Sequence, residues 1–491
     1  MKYVFLVAFI VLVGLSIGVY KSFPTQQSEV PVIYWVTDPN PARNLQIEGF
    51  HKWMIDQGRF IEKDAATYEP RPEMIENGAY QILPDGRGAL CEVLLKLDVA
   101  NNDTTKKLIQ SVSGVGGDIM DLGPLHRFAD IGFLEDLTED AQEMGFGLDK
   151  TYPAIAPDLQ SKGKQYAFPC NVYVNMYWVN LDTFKKFGVE VPDPQWTIED
   201  FERIGKEFDA KANKPDEPRK HFLMPYINNR ILLRSLGGSM YNETYTRSNL
   251  DKGEFAETMR LIYKWTYVDH IIPSKAEQAS FDTAGGYGGP VLQLFNQGNY
   301  AMFGMGRYAL IQLRKFGNLN LTVVEPPTPE ENGFRNSLTG TRCAGVYKGS
   351  KNKEYAKMFL TYLASKDYNM QIVRDADALP PNPVYTEIDE YNAPADFPNE
   401  GKIHTLFAEA VKNIAIPQAR CPFVKDNIAN KAFSDAHDGV MNDKIGPEEA
   451  ALAAAEAVNL DIERNLQADP KLRAYYDEQM VKQKKIIQDL V

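Results

Sequence analysis

Short apolar runs alternate with amphipathic stretches along most of the chain, and this alternation predicts its secondary structure. Residues 32–36 (VIYWV) are β-branched and aromatic, 91–97 are largely apolar, and both runs predict strands. The stretch 104–112 has the apolar spacing of a helix, and 117–122 (GDIMDL) returns to a strand. Strand, helix and strand joined by short connections predict a parallel α/β sheet. Residues 58–88 interrupt the pattern with glycine, proline and acidic side chains, and predict an inserted loop or small subdomain.

The second half of the chain follows the same alternation. Residues 171–179 (NVYVNMYWV) predict a long aromatic strand. Thr197 has a carboxylate three residues on, at Asp200, which resembles a capping box and predicts a helix over 198–208. The proline at position 447 suits the first turn of an alanine-rich helix that reaches about residue 466.

The N-terminus carries a signal for export. Residues 3–20 contain no charged side chain and are flanked by Lys2 and Lys21. This run approaches the roughly 20 residues that span a bilayer, whereas a secretory signal peptide usually has a shorter apolar core. Residues 1–22 are therefore interpreted either as a retained membrane anchor or as a cleaved signal peptide, followed by a polar linker over 23–31. Both alternatives predict an extracytoplasmic location, in the periplasm or at the cell surface, with membrane contact through this segment only.

Composition narrows the class of partner. The chain has 491 residues, a length typical of roughly three domains or two large ones. Its 53 Lys and Arg against 66 Asp and Glu give a net charge of −13, which disfavours nucleic acids and anionic membrane surfaces. The 25 tyrosines equal the 25 phenylalanines in number, so much of the aromatic surface carries a hydroxyl group suited to wet contacts.

Motifs for catalysis and for metal binding are missing from the sequence. It contains no Walker sequence, no G-x-S-x-G and no H-E-x-x-H, and its six histidines are scattered. We therefore expect no cofactor, no metal and no enzymatic activity, although counting carboxylates does not exclude a glycosidase pair. The cysteines form no CxxC pair, and in an exported chain their pairing stays open. They are Cys91, Cys170, Cys343 and Cys421.

Four blocks carry a resemblance to a known family. They are 117–122 followed by 133–137 (FLEDL), 166–169 (YAFP) followed by 177–188 (YWVNLDTFKKFG), 295–308 (FNQGNYAMFGMGRY) and 345–360 (GVYKGSKNKEYAKMFL). In this order they resemble the extracellular solute-binding proteins of ABC importers, and specifically the sugar-binding group that includes maltose-binding protein. The resemblance spans about residues 31–465. The chain departs from it in the long 58–88 segment, in the helical tail after about 465 and in the missing lipobox cysteine.

The resemblance implies an α/β fold of the two-lobe periplasmic-binding-protein type, with a hinge and an interlobe cleft, preceded by the N-terminal apolar helix. Lobe one is expected to comprise 32–170 plus 338–378, and lobe two 171–337 plus 379–491 with the C-terminal tail. The implied function is capture of a carbohydrate in the cleft, by a monomer, and delivery to the permease subunits of an ABC transporter. Hinge closure around the solute is the implied mechanism.

Several residues near the first lobe's strand ends are implied to bind the ligand. Asp38 directly follows the first strand and aligns with a sugar-contacting aspartate of the family, although an Asp-Pro turn explains it equally well. Trp35 and Tyr34 are successive residues on that strand and point to opposite faces of the sheet. One of the two rings therefore faces away from the core. Tyr173 and Asn171 lie where the resemblance places a strand end at the cleft.

The other implied ligand contacts lie in the second half of the chain. Tyr226 matches a segment whose aromatic residue contacts sugar, although Met224 replaces the glutamate that the family places there. Tyr308 occupies the position of a ligand-stacking tryptophan. The adjacent Arg307 has the geometry to clamp hydroxyl groups or a carboxylate, and its alternative role is to oppose a helix dipole. Phe423 aligns roughly with another stacking ring.

The resemblance suggests two further candidate contact residues, and two other functions remain as alternatives. His126 and Arg127 lie near a contact loop of the family. An exported carbohydrate-active enzyme would require a carboxyl pair across the cleft. A binding protein for a peptide or polyamine would require a cleft lined by unpaired carboxylates.

Overall fold

The computed structural model describes residues 28–489 except 115, 124, 282–288 and 318. The predicted N-terminal helix and most of the linker lie outside the described residues. The strands are β1 (Val32–Val36), β2 (Phe60–Lys63), β3 (Tyr80–Ile82), β4 (Gly88–Cys91), β5 (Leu94–Asp98), β6 (Ile119–Asp121), β7 (Gln160–Ser161), β8 (Lys164–Gln165), β9 (Phe168–Val174), β10 (Met176–Asn180), β11 (Met302–Met305), β12 (Leu321–Val324), β13 (Ser337–Val346) and β14 (Ala415–Pro417).

Helices cover the sheets and form the C-terminal third of the chain. They are α1 (Ala42–Asp56), α2 (Pro72–Glu76), α3 (Thr104–Val112), α4 (Leu125–Asp130), α5 (Thr138–Glu143), α6 (Ala156–Leu159), α7 (Leu181–Phe187), α8 (Ile198–Ala212), α9 (Asn229–Ser235), α10 (Gly253–Tyr267), α11 (Lys275–Phe281), α12 (Gly289–Gln297), α13 (Leu310–Leu313), α14 (Lys353–Ala364), α15 (Lys366–Asp375), α16 (Asp389–Asn392), α17 (Gly401–Asn413), α18 (Asp426–Met441), α19 (Pro447–Ala468) and α20 (Pro470–Asp489).

The first sheet has the predicted parallel core. Strand β1 lies between β5 and β6 and is parallel to both, with Trp35 opposite Leu97 on one side and Ile119 on the other. Strand β13 extends the sheet antiparallel to β6 and parallel to β14, and β9 pairs with the opposite edge of β13. The crossover helices α1 and α3 connect the parallel strands, as the sequence pattern predicts.

The strand predicted over 171–179 is divided between two sheets. It breaks at Asn175, so that β9 pairs with β13 and β10 forms a second, antiparallel sheet with β11 and β12. The Asn175 amide donates to the carbonyl of Leu338, and its own carbonyl accepts from the Ser337 hydroxyl. These bonds hold the backbone where it changes sheet.

Strand β13 pairs with three strands of the first sheet. Its residues 344–346 pair with β6 of the first sheet, and its residues 337–339 pair with β14. Strand β9 runs antiparallel along 339–344 and then continues into β10. The β9–β13 pair is therefore a continuous hydrogen-bonded connection between the two sheets.

Each sheet has its own hydrophobic core. In the first, Trp35 packs against Phe359 at 4.9 Å between ring centroids. In the second, Phe201 packs against Trp265 at 4.7 Å, and the alanine-rich face of α19 closes the same core. A third cluster, around Trp178, lies between them.

The inserted segment is a small subdomain. Strands β2, β4 and β3 form an antiparallel sheet in that order, with α2 between β2 and β3. The predicted strand over 91–97 is divided, since Cys91 ends β4 and the first sheet resumes at Leu94.

All four cysteines are buried free thiols. Burial raises the pKa of Cys91, Cys170 and Cys421 to about 12, so these thiols stay protonated and unreactive at neutral pH. The fold is held by packing and hydrogen bonds rather than by covalent links.

A buried ion network ties the first lobe to β13. Asp377 accepts hydrogen bonds from Arg43 at 2.6 Å, Gln46 at 2.9 Å and Arg342 at 3.2 Å. Burial by itself would raise the pKa of Asp377, but the two guanidinium groups outweigh it and hold the pKa at about 2. The neighbouring Ala376 and Ala378 have φ of 56° and 65°, a left-handed conformation that persists only where the surroundings fix it.

The substitution Asp377→Ala is expected to lower the free energy of unfolding by about 3 to 5 kcal/mol, because it leaves two buried arginines without their shared partner. Urea denaturation measures the change. The matched control is Asp216→Ala, at an exposed loop carboxylate, where we expect a change within about 0.5 kcal/mol. Equal effects of the two substitutions would contradict the role of the network.

A buried histidine makes folding stability pH-dependent. Nδ1 of His51 lies 2.7 Å from the Asn77 carbonyl, and Nε2 accepts from the Leu95 amide at 2.8 Å. Burial lowers the pKa of His51 to about 4. Since the ordinary value is about 6.5, the unfolded chain binds the extra proton first as the pH falls.

The free energy of unfolding is therefore expected to fall as the pH drops from about 6.5 to about 4, with His51 contributing about 3 kcal/mol. Urea titrations at several pH values measure the slope. The slope should decrease in His51→Gln and stay unchanged in His437→Gln, which alters a partly exposed histidine. An unchanged slope in both variants would contradict the prediction.

Candidate functional site

Two glycines make room for two tyrosine rings where the β9–β13 pair leaves the first sheet. Tyr173 lies opposite Gly340 in the ladder, and a Cβ atom at Gly340 would come within 2.6 Å of the Tyr173 hydroxyl oxygen. A Cβ atom at Gly306 would likewise come within 2.6 Å of the Tyr308 ring. The Tyr173 ring thus lies against the β13 backbone at Gly340, and the Tyr308 ring lies against the backbone at Gly306.

The two rings form one aromatic group. Tyr173 and Tyr308 meet edge to face, with centroids 6.5 Å apart and an interplanar angle of 88°. Both side chains are half-buried, so part of each ring remains accessible. Such a pair offers flat apolar surface and hydroxyl groups to the same solute.

Tyr226 offers a third accessible ring. It follows the buried segment Phe222–Met224 in the second lobe and is 47% exposed. Asn228, two residues further on, caps α9 and accepts from the amides of Arg230 and Ile231. This cap fixes where α9 begins and so where the next side chains lie.

Charged groups of both signs surround Tyr173. Burial raises the pKa of its phenol, Asp158 adds to the rise, and Arg420 and Arg230 oppose it. Asp121, at the end of β6, also acts on this hydroxyl. The aromatic group therefore lies beside a polar site rather than inside a core.

A polar cavity of about 170 Å³ is lined by Arg230 and Arg420, the two arginines that act on Tyr173. Gly123, just after β6, lines one side, and Arg230 of α9 and Asp426 of α18 line others. The remaining lining residues are Met240, Tyr241, Gln418, Ala419, Ala429 and Asn430. Amide, guanidinium, carboxylate and phenol groups together are the set that recognises dense hydroxyl groups.

The carboxylates near this junction have cationic neighbours. Asp158 pairs with Arg420 at 3.1 Å. Asp38 is about one-third exposed, and its Oδ1 accepts from Nε of Arg43 at 2.8 Å. Burial raises the pKa of Asp121, and the charge of Lys107 is the first to oppose that rise.

Two of the predicted contacts lie in the interior. Trp35 is completely buried against Phe359, so its ring offers no surface to a solute. Asn171 is buried, and its Oδ1 accepts from the backbone amide of Arg342. The strand alternation that turns one ring outward exposes Tyr34 instead of Trp35.

Arg307 and Phe423 are also buried in this conformation. Arg307 is 1% exposed and donates to the carbonyls of Ile372, Val373 and Ala378 at the end of α15. A cation at the C-terminal end of a helix opposes the helix dipole, and this is the alternative role that the sequence predicted for Arg307. Phe423 is completely buried in the second lobe's core against Tyr476. Neither has surface to give to a ligand in this conformation.

The local sequence pattern does not identify the polar residues of the junction. Arg230 lies four positions after Tyr226, and the helix cap at Asn228 is the local signal for it. Asp158 and Arg420 lie far apart in sequence and meet only in the fold. Arg127 reaches the Val424 carbonyl of the second lobe, which places its segment beside the same junction.

Two further features are absent from the described part of the chain. It contains no cluster of His, Cys, Asp and Glu suited to a metal ion. Nor does it contain a helix with the length and apolar character needed to cross a membrane.

Solved structures with the same fold define the class of protein. An ABC substrate-binding protein from Listeria monocytogenes, in complex with cycloalternan, has a TM-score of 0.69 at 18% identity over 89% of this chain and 100% of that one. The GacH receptor of Streptomyces glaucescens, solved unliganded and with acarbose, gives 0.65 at 18% identity over 89% and 99%. The maltose/maltodextrin-binding domain from Bdellovibrio bacteriovorus bound to maltotriose gives 0.64 at 16% identity over 89% and 100%. The fold is therefore the two-lobe fold of periplasmic binding proteins.

The chain belongs to the bacterial extracellular solute-binding protein family. The family model matches residues 97–399, a range that contains β6, the β9–β13 pair and the Tyr173–Tyr308 group. The expected family and fold are thus confirmed.

The packing of the Tyr173 ring against Gly340 can be tested by substitution. Gly340→Ala is expected to lower the free energy of unfolding by about 1 to 3 kcal/mol, because the new methyl group displaces the ring. In the Tyr173→Ala background the same substitution should have much less effect, which a double-mutant cycle by urea denaturation measures. Gly253→Ala, at a position with open space, is the control. Additive effects would contradict the contact.

Proposed function

We propose that this protein captures a carbohydrate in the cleft between its lobes and delivers it to the permease of an ABC import system. The observation that carries the proposal is the accessible Tyr173–Tyr308 pair, whose Tyr173 hydroxyl feels the charges of Arg230 and Arg420 in the lining of the polar cavity. Sugars present C–H faces, which stack on flat rings, and hydroxyl groups, which bond to amides, carboxylates and guanidinium groups. The junction supplies both kinds of surface.

Similar proteins support a carbohydrate as the solute. Structures that share the fold have been solved with cycloalternan, acarbose and maltotriose. Identity to each is 18% or less, so the match of fold supports the class of solute and leaves the individual sugar to experiment.

The pairing of carboxylates argues against a polyamine or a basic peptide. Such a solute would require unpaired carboxylates along the cleft, whereas Asp38 and Asp158 each bind an arginine. The family match to solute-binding proteins favours capture over catalysis. We infer capture without chemistry.

The mechanism follows from the shared β9–β13 pair. We infer lobes of 32–170 plus 338–378 and of 171–337 plus 379–491, which close about this pair when solute binds. The closed state must bind the solute more tightly than the open one for binding to shift the equilibrium. Residues 1–22 are proposed to act as export signal or membrane anchor, which leaves the folded lobes outside the cytoplasm to meet the permease.

A thermal-shift screen tests the class of solute. Carbohydrate at 100 times its Kd is expected to stabilise the folded protein by about 2.7 kcal/mol, and so to raise its Tm by a few degrees. The panel includes neutral and acidic oligosaccharides, with peptides and polyamines as controls. A shift with a peptide or polyamine and none with any carbohydrate would overturn the proposal, and release of product from a glycan would overturn capture without chemistry.

The substitution Tyr308→Ala is expected to weaken carbohydrate binding about tenfold or more, because it removes the ring that completes the aromatic pair. Isothermal titration calorimetry measures the Kd. Tyr475→Ala, at a 40% exposed ring on the C-terminal helix α20, is expected to leave the Kd unchanged. Equal affinities in the two variants would remove Tyr308 from the site.

A further inference from the structure

Arg230 brings a positive charge to the polar cavity without an ion-pair partner. Its side chain donates to Oδ1 of Asn430, and its guanidinium group lies 6.0 Å from the Phe433 ring centroid. In the described part of the chain, no carboxylate lies within 4.0 Å of it. A guanidinium group has five N–H donors in a planar fork, so most of its donors remain available.

The surroundings of Arg230 leave its charge poorly compensated. Burial lowers the pKa of Arg230, while Tyr241 and Asp426 oppose the shift from a greater distance than an ion pair. Arg230 also lies in the first turn of α9, where the helix dipole is positive and disfavours a cation. Arg127, on the first-lobe side, bonds to a backbone carbonyl and likewise has no carboxylate partner in the described residues.

The negative charges near the cavity do not pair with Arg230 directly. Asp158 is paired with Arg420. Asp426 lies in the first turn of α18, a helix of 16 residues whose N-terminal amides favour a negative charge, and it acts on Arg230 only from beyond ion-pair distance. A carboxylate in the cavity would therefore be the first to pair directly with the Arg230 fork.

A neutral solute would not relieve this charge. Closing the lobes over hydroxyl groups alone would remove water from Arg230 without supplying an opposite charge, which disfavours the closed state. A carboxylate matches the fork with two parallel N–H···O bonds and neutralises it.

We propose that the solute is an acidic carbohydrate, a uronate-containing oligosaccharide whose carboxylate is bound by Arg230 while its ring stacks at Tyr173 and Tyr308. This inference rests on the proposed function, and it names the chemical class of solute for that same site.

Calorimetry on the full chain tests the charge directly. The probes are di- to tetrameric galacturonate, mannuronate and glucuronate oligosaccharides, each compared with its own methyl ester, and maltotriose as a neutral glucan. A methyl ester keeps the sugar and removes only the charge. An acidic oligosaccharide is expected to bind 10- to 100-fold more tightly than its ester, the range expected for a hydrogen bond to a charged group, and to weaken as salt is added.

Three variants separate the role of Arg230 from general charge and from folding. Arg230→Gln should remove the preference for the acid over the ester. Arg230→Lys should retain part of it, because the charge stays while the fork is lost. Arg203→Gln, which removes an exposed arginine on α8, should keep the full preference. Retained binding of the ester by Arg230→Gln shows that the variant is folded.

The outcomes distinguish this inference from the proposed function. Equal or tighter binding of the neutral forms, or an acid preference that survives in Arg230→Gln, would overturn the inference and leave carbohydrate capture standing. The absence of binding by any oligosaccharide, acidic or neutral, would overturn both.

Discussion

The structure depends on one backbone ladder, the hydrogen-bonded pair of β9 and β13. Strand β13 pairs with β6, β9 and β14 of the first sheet, and β9 continues past Asn175 into β10 of the second sheet. The glycines that admit the tyrosine rings lie on β13 and just after β11. The rings proposed to contact solute and the connection between the two sheets therefore depend on the same few residues.

A second constraint lies beneath the first lobe's end of that ladder. Two arginines, from α1 and β13, share the buried carboxylate of Asp377. Removing charges from water is unfavourable, and such a cluster contributes to stability only when each member is satisfied. Its specific contribution here is to fix a left-handed segment at the end of α15, whose carbonyls Arg307 also holds from the second lobe.

The sequence predicted the fold better than the site, and particular residues show why. The parallel core and the capped helix at Thr197 depend on local patterns, and both formed as expected. The break at Asn175 depends on which strand each half pairs with, and this is tertiary information. Trp35 and Arg307 lie at the positions that the resemblance implied, but packing around them uses their side chains internally. Only the folded chain shows that Arg230 has no ion-pair partner among the described residues, because the residues that surround it, such as Asn430, are distant in sequence.

The buried thiols have a consequence for biogenesis. Cys170 and Cys343 belong to different hydrophobic cores on neighbouring strands, so even this pair remains reduced. An exported protein built this way reaches its native state without an oxidation step. It therefore requires no thiol oxidoreductase to form disulfides after translocation.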